Sequence, residues 1–242
     1  MSPRSEQADD ARARLIGRAA AAATALGRGL AGLAYPSLCL GCEQRLPDPD
    51  DALCPSCLRG LPRADVGAAR QMLAGAELDH VVPLWAFDPG GTVRRVQHAL
   101  KYGGRPSLGL ALGRVMARAV AETGARIDAV VPVPLSRTRT LERGYNQAEA
   151  LGRGVSAGLA VPVVDALART RATRKQATLS AQARVANVDG AFAVADGVAL
   201  AGAHVLLVDD VLTTGATLVA AARPLAEAGA TVSVAALGLA GA

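Results

Sequence analysis

The stretch "HVLLVDDVLTTGATL" (204–218) constrains the fold more tightly than any other part of the chain. An apolar run of strand length ends in two adjacent carboxylates, Asp209 and Asp210, then passes through a small-residue turn into a helical pattern. A buried strand feeding a helix is the repeating unit of a parallel α/β sheet, and ligands bind such sheets at the carboxyl ends of the strands. Gly215 supplies backbone freedom that other residues resist. The amides and hydroxyls of Thr213, Thr214, Gly215 and Thr217 can cradle a phosphate at the start of the helix. Two carboxylates beside that cradle would repel a second phosphate and suit the vicinal hydroxyls of a sugar, with Mg²⁺ held nearby. The chemistry therefore points to a ribose 5-phosphate site. The competing reading is a strand-end Asp pair before an ordinarily capped helix.

The rest of the chain supports the same class. From about residue 80 onward, Val-rich runs alternate with helical patterns, which predicts a parallel sheet with crossover helices over 80–242. The expected strands are "HVVPLWAF", "IDAVVPVP", "VPVVDAL", "AFAV", "HVLLVDD" and "TVSVAALGL". Helices are expected over Ser107–Gly124, about Asn146–Ala157 and about Thr217–Ala228. Between the third and fourth strands, "ARTRATRKQATLSAQARVANVDGAF" is rich in Arg and reads as a long mobile loop followed by a short helix. Residues 1–34, rich in Ala and Arg, repeat apolar positions at helical spacing and form a separate N-terminal helical segment. Its acidic start and interrupting arginines argue against an export signal or stable membrane insertion, so a cytoplasmic protein is expected.

The four cysteines, Cys39, Cys42, Cys54 and Cys57, all fall within residues 35–62. Two C-x₂-C knuckles separated by about a dozen residues match a closed tetrahedral zinc site, structural rather than catalytic. So short a Pro- and Asp-rich segment cannot order itself by apolar burial, and the metal supplies that energy. Disulfides or free thiols are the alternative, the former disfavoured in a cytoplasmic chain, with an iron–sulfur cluster a minor competitor. The charge of +5 suits phosphate-bearing ligands, while 2% aromatic content gives little material for stacking bases. His80, His98 and His204 are scattered and read as structural, and Trp85 as core.

Taken in order, the four-cysteine ribbon, "ALKYGGRPSLGLALG", "VVPVPLSRTRTLERGYNQAEALGR", "RTRATRKQATLSAQARVANVDGAF" and "VLLVDDVLTTGAT" resemble the ComF family, linked to DNA uptake in competent bacteria. The last of these looks like the motif by which type I phosphoribosyltransferases bind phosphoribosyl pyrophosphate (PRPP). The resemblance implies an α/β fold: a type I phosphoribosyltransferase-like parallel sheet flanked by helices, with a small N-terminal zinc ribbon. It implies that Asp209 and Asp210 contact the ribose hydroxyls and that Thr213, Thr214, Gly215, Ala216 and Thr217 hold the 5-phosphate. Leu135, Ser136 and Arg137 would meet pyrophosphate, with Arg139 and Arg143 near. Arg171, Arg174 and Lys175 would close over the ligand, so that Arg174 and Lys175 join the acidic pair as catalytic candidates. In "RGYNQ", Gly144 suits a tight turn and Asn146 a helix cap.

One residue departs from a better-known branch. Thr213 stands where 6-oxopurine phosphoribosyltransferases usually carry a basic Asp, and a hydroxyl is not basic at neutral pH. A hypoxanthine or guanine salvage enzyme is thereby disfavoured, and the acceptor is unassigned. Two functions follow as expectations: transfer of a phosphoribosyl group with PRPP and Mg²⁺, or a non-catalytic accessory of DNA uptake that binds single-stranded DNA and protein partners.

Overall fold

The computed structural model describes residues 37–88, 90–170 and 190–241. Strands β1 (Val81–Ala86), β2 (Ala129–Pro132), β5 (His204–Leu212) and β6 (Thr231–Leu239) form a parallel sheet in the order β1-β6-β5-β2. β3 (Leu167–Arg169) and β4 (Phe192–Val194) pair antiparallel as a separate two-stranded ribbon. The sheet is buried on both faces, which is why its strands read as unbroken apolar runs.

Two of the six expected strands behave differently. "VPVVDAL" adds one parallel bridge, Val163 to Val130, at the sheet edge. Pro162 has no N–H to offer and contributes only its carbonyl, accepting from Val130 at 2.9 Å. The chain then leaves the sheet, and Leu167–Arg169 pairs with the "AFAV" segment instead.

Seven helices are described: α1 (Pro55–Arg59), α2 (Val66–Met72), α3 (Thr92–Tyr102), α4 (Pro106–Ala121), α5 (Arg137–Arg143), α6 (Gln147–Leu159) and α7 (Ala216–Glu227). α3, α4 and α6 cover one sheet face through Val96, Leu100, Leu112, Met116 and Leu151. α2 and α7 cover the other through Ala69, Leu218, Ala221 and Leu225. α4 and α6 meet backbone to backbone: a Cβ on Gly113 would come within 2.1 Å of the Leu151 carbonyl oxygen, and one on Gly154 within 2.2 Å of that of Leu110.

The cysteine segment shares this core. Cys39, Leu46, Ala52, Leu53 and Leu61 are buried in the same apolar cluster as Trp85, Val93 and Leu100. Arg95 of α3 donates to the carbonyls of Leu40 at 2.7 Å and Gly41 at 3.3 Å. Arg105 donates to the Pro49 carbonyl. No described helix is long and apolar enough to cross a membrane. The expected N-terminal helix over 1–34 lies outside the described residues.

Candidate functional site

The four cysteine sulfurs lie within 4.8 Å of one another, Sγ of Cys42 and Cys54 being 3.8 Å apart. Tetrahedral Zn–S bonds of about 2.3 Å require edges of about that length, so the set could hold a metal ion such as zinc. Gly41 N–H (3.4 Å) and Cys54 N–H (3.3 Å) donate to Cys39 Sγ, and Cys57 N–H (3.4 Å) to Cys54 Sγ. Burial pushes the Cys39 thiol up, but backbone donors outweigh it and bring the group down to about 6. Hydrogen bonding to Cys42 and Cys54 drives Cys57 up to about 12, with desolvation adding to it. Without a cation the Cys57 thiol therefore keeps its proton at pH 7, and a metal must displace it on binding. Gly41 is needed for closeness, because a Cβ there would meet Cys57 Sγ at 2.7 Å.

The second site lies at the carboxyl end of β5. The strand does not stop at the acidic pair: Val211 and Leu212 continue the ladder opposite Gly238 and Leu239, so Asp209 and Asp210 lie within β5 near its end. The chain then turns at Gly215, with φ of +76°, into α7. Glycine is required there twice, by that angle and because a Cβ would sit 2.1 Å from the Met72 carbonyl oxygen. No side-chain cap hydrogen bond closes the start of α7 and no acid stands in its first turn, so the positive end of the helix dipole is not offset by a carboxylate there.

Asp209 and Asp210 line a cavity of about 160 Å³ with Thr213 and Thr217 from the turn, Lys101 from α3 and Arg169 from β3. Leu135, Arg139 and Arg143 close another wall. Asp210 N–H donates to Asp209 Oδ1 at 2.8 Å. Loss of water, then the charge of Asp210, raises the Asp209 carboxyl to about 7. Lys101 Nζ lies 3.1 Å from Asp210 Oδ2. The ammonium is within ion-pair range but outside hydrogen-bond geometry, so that buried oxygen has no hydrogen-bond partner. The guanidinium of Arg169 lies 5.1 Å from the Phe192 ring centroid, and its Nε is also buried without a partner. Burial, followed by nearby Arg139, lowers the Arg169 pKa.

The structure thus brings Asp209, Asp210, Thr213 and Thr217 together around one cavity, with Gly215 and Ala216 shaping the turn. Thr214 lies in the same turn without lining the cavity. Ser136 and Arg137 do not line it either: Ser136 caps α5, accepting from Arg139 N–H at 3.4 Å, and Arg137 is exposed. Their neighbours Arg139 and Arg143 line it instead. Arg171, Arg174 and Lys175 lie outside the described residues. Gly144 takes the left-handed conformation that ends α5, and Asn146 caps α6, accepting from Ala148 N–H at 3.1 Å. His204 hydrogen-bonds Ser233 at 2.9 Å at the opposite end of β5, and Trp85 is core.

Sequence reasoning missed Lys101 and Arg169. The signals were one of only two lysines in an arginine-rich chain and an arginine at the mouth of the basic segment.

Comparison with known proteins supports the same fold class. The family described as Phosphoribosyl transferase domain matches residues 141–240, which include α6, β5 and the Gly215 turn. The DNA utilization protein YhgH of Escherichia coli strain K12 is 32% identical over 206 residues, 82% of this chain and 88% of that protein. Competence protein F of Haemophilus influenzae is 41% identical over 93 residues, 38% of this chain and 41% of its own. The adenine phosphoribosyltransferase of Mycobacterium avium is 56% identical over 43 residues, 18% and 24% of the two chains. A relative that shares most of its length with this one, joined to the phosphoribosyl transferase match and the cysteine cluster, settles the kinship: the chain belongs to the ComF family.

Proposed function

We propose that the cavity at the end of β5 binds PRPP, or a closely related ribose 5-phosphate ligand, together with Mg²⁺. What carries this reading is the convergence of an acidic pair and an uncapped helix start with Lys101, Arg139, Arg143 and Arg169 on one small cavity. The Gly215 turn and Thr217 would hold the 5-phosphate. Asp209 and Asp210 would face the ribose hydroxyls and hold the metal, a role suited to Asp210 Oδ2, a buried acceptor without a hydrogen-bond donor. Magnesium would supply charge neutralisation for the diphosphate. Arg139, Arg143 and Arg169 supply the positive wall that favours charge growing on a departing diphosphate. Arg174 and Lys175, in the segment that follows Arg169, would add to that wall.

The reaction supported is transfer of the phosphoribosyl group. The bond from the anomeric carbon to the diphosphate oxygen breaks, a bond to the acceptor forms, and the acceptor releases a proton. The names of the relatives, a DNA utilization protein and a competence protein, support a role in handling DNA. They also favour a second reading, in which the same fold serves DNA uptake as a non-catalytic accessory binding single-stranded DNA and protein partners. Calorimetric titration with PRPP and Mg²⁺ separates the two. Binding by wild type that is abolished in the Asp209→Asn, Asp210→Asn double variant is expected. Its absence in folded, metal-loaded protein would move the assignment to the accessory role.

A further inference from the structure

Of the 26 Lys and Arg residues in the chain only two are lysine, Lys101 and Lys175. Where arginine serves almost every other basic position, a lysine facing Asp210 calls for a chemical reason. An arginine offers a planar fork that locks a carboxylate through two parallel hydrogen bonds. An ammonium is a compact, rotatable point charge. The observed pair has that loose character: Nζ lies 3.1 Å from Asp210 Oδ2, yet the oxygen accepts no hydrogen bond. Both groups are largely out of water, with side chains 23% and 14% exposed, so each needs a countercharge.

The placement of Lys101 is well defined. It occupies the last turn of α3, one residue after Leu100, whose carbonyl accepts from the Tyr145 hydroxyl. Arg95 on the same helix is fastened to the cysteine segment. The ammonium therefore approaches the acidic pair from a fixed helix, on a cavity whose other walls carry Arg139, Arg143 and Arg169.

We propose that Lys101 is a built-in substitute for the divalent cation. In the ligand-free protein it neutralises Asp210. When the sugar diphosphate arrives with its metal, Lys101 releases Asp210 to the metal and turns its donors to a phosphate oxygen. Free metal alone then binds poorly, because it must displace an ammonium that has no phosphate to turn to. Metal and ligand bind as a pair. The proposal rests on the PRPP reading above.

Mn²⁺ titration of the ligand-free protein, followed by the electron paramagnetic resonance of free Mn²⁺, tests the substitution without PRPP. Lys101→Met should bind Mn²⁺ roughly tenfold more tightly than wild type, the effect of losing a modest competing interaction. Lys101→Arg should bind it no more tightly than wild type. Equal Mn²⁺ affinity in wild type and a folded Lys101→Met protein overturns the substitute role. With PRPP and Mg²⁺, Lys101→Met should lose roughly 10- to 100-fold in affinity, the range of one charge-assisted hydrogen bond.

A measurement on the wild type covers the case in which the variants do not fold. With two lysines in the chain, amine acetylation at Lys101 can be read directly by peptide mass spectrometry. PRPP with Mg²⁺ should slow it severalfold and Mg²⁺ alone should not. Unchanged labelling with ligand bound overturns the transfer of Lys101 to phosphate. Failure of wild type to bind PRPP at all instead overturns the reading on which the proposal rests, and the Mn²⁺ result still decides the competition for Asp210.

Discussion

Between about pH 4 and pH 7 the stability of the chain depends on the ionisation of Asp209. Its carboxyl is raised from an ordinary 3.8 to about 7, first by loss of water and then by the charge of Asp210. In that window the unfolded chain has given up the proton while the folded chain retains it. Folding therefore takes up a proton, and this group's contribution weakens as pH rises, reaching its lowest value above about pH 7. In metal-free buffer the wild-type Tm should thus fall relative to that of Asp209→Asn between pH 5 and pH 8. Parallel pH profiles for the two proteins would contradict the assignment. On the proposed PRPP reading the same ionisation would hold the cation, so the site would be costly to charge until that ligand arrives.

At the element scale, the α4–α6 pair packs closely. Its glycines let the two helix backbones touch, so an added methyl group has nowhere to go. Gly113→Ala should destabilise by roughly 1–3 kcal/mol, the ordinary cost of overpacking. At about 2–4 °C per kcal/mol for a chain of this size, calorimetry would register a drop of several degrees. An unchanged Tm would show that the helices separate freely. This contact was not legible in the sequence, which marks α4 by its apolar face but not which helix its glycines meet. α4 itself was readable within a few residues, as were α6 and α7, because apolar spacing is a local property. Sheet membership is not local. "VPVVDAL" has the composition of a core strand, yet Pro162 and the departure toward β4 leave it one bridge. The acidic pair and Gly215 were legible because one continuous segment carries them. Lys101 and Arg169 reach the cavity from α3 and β3, remote in sequence, and only the assembled sheet brings them there.

Across the whole molecule, the cysteine segment and the cavity at the end of β5 are joined through α3. One turn of that helix fastens the first knuckle through Arg95, and its last turn places Lys101 beside Asp210. Chelation of a metal held by the four cysteines, under reducing conditions, should therefore do more than unfold a small appendage. Tm should drop by more than about 5 °C, since the metal's binding energy is also folding energy. PRPP affinity should weaken with it, and Arg95→Ala should reproduce part of that loss with all four cysteines intact. Full affinity in metal-depleted protein would show that α3 holds its position unaided.

The strand order has a consequence for how the chain is made. β6 lies between β1 and β5, yet it is synthesised after every other described strand. While a ribosome extends the chain, β1 and β5 have no partner joining them, and their apolar residues await an element still to be translated. The sheet can close only when residues 231–239 have left the exit tunnel. From the synthesis of β1 until then the nascent chain thus carries an unpaired strand edge, the condition in which chaperones engage a polypeptide.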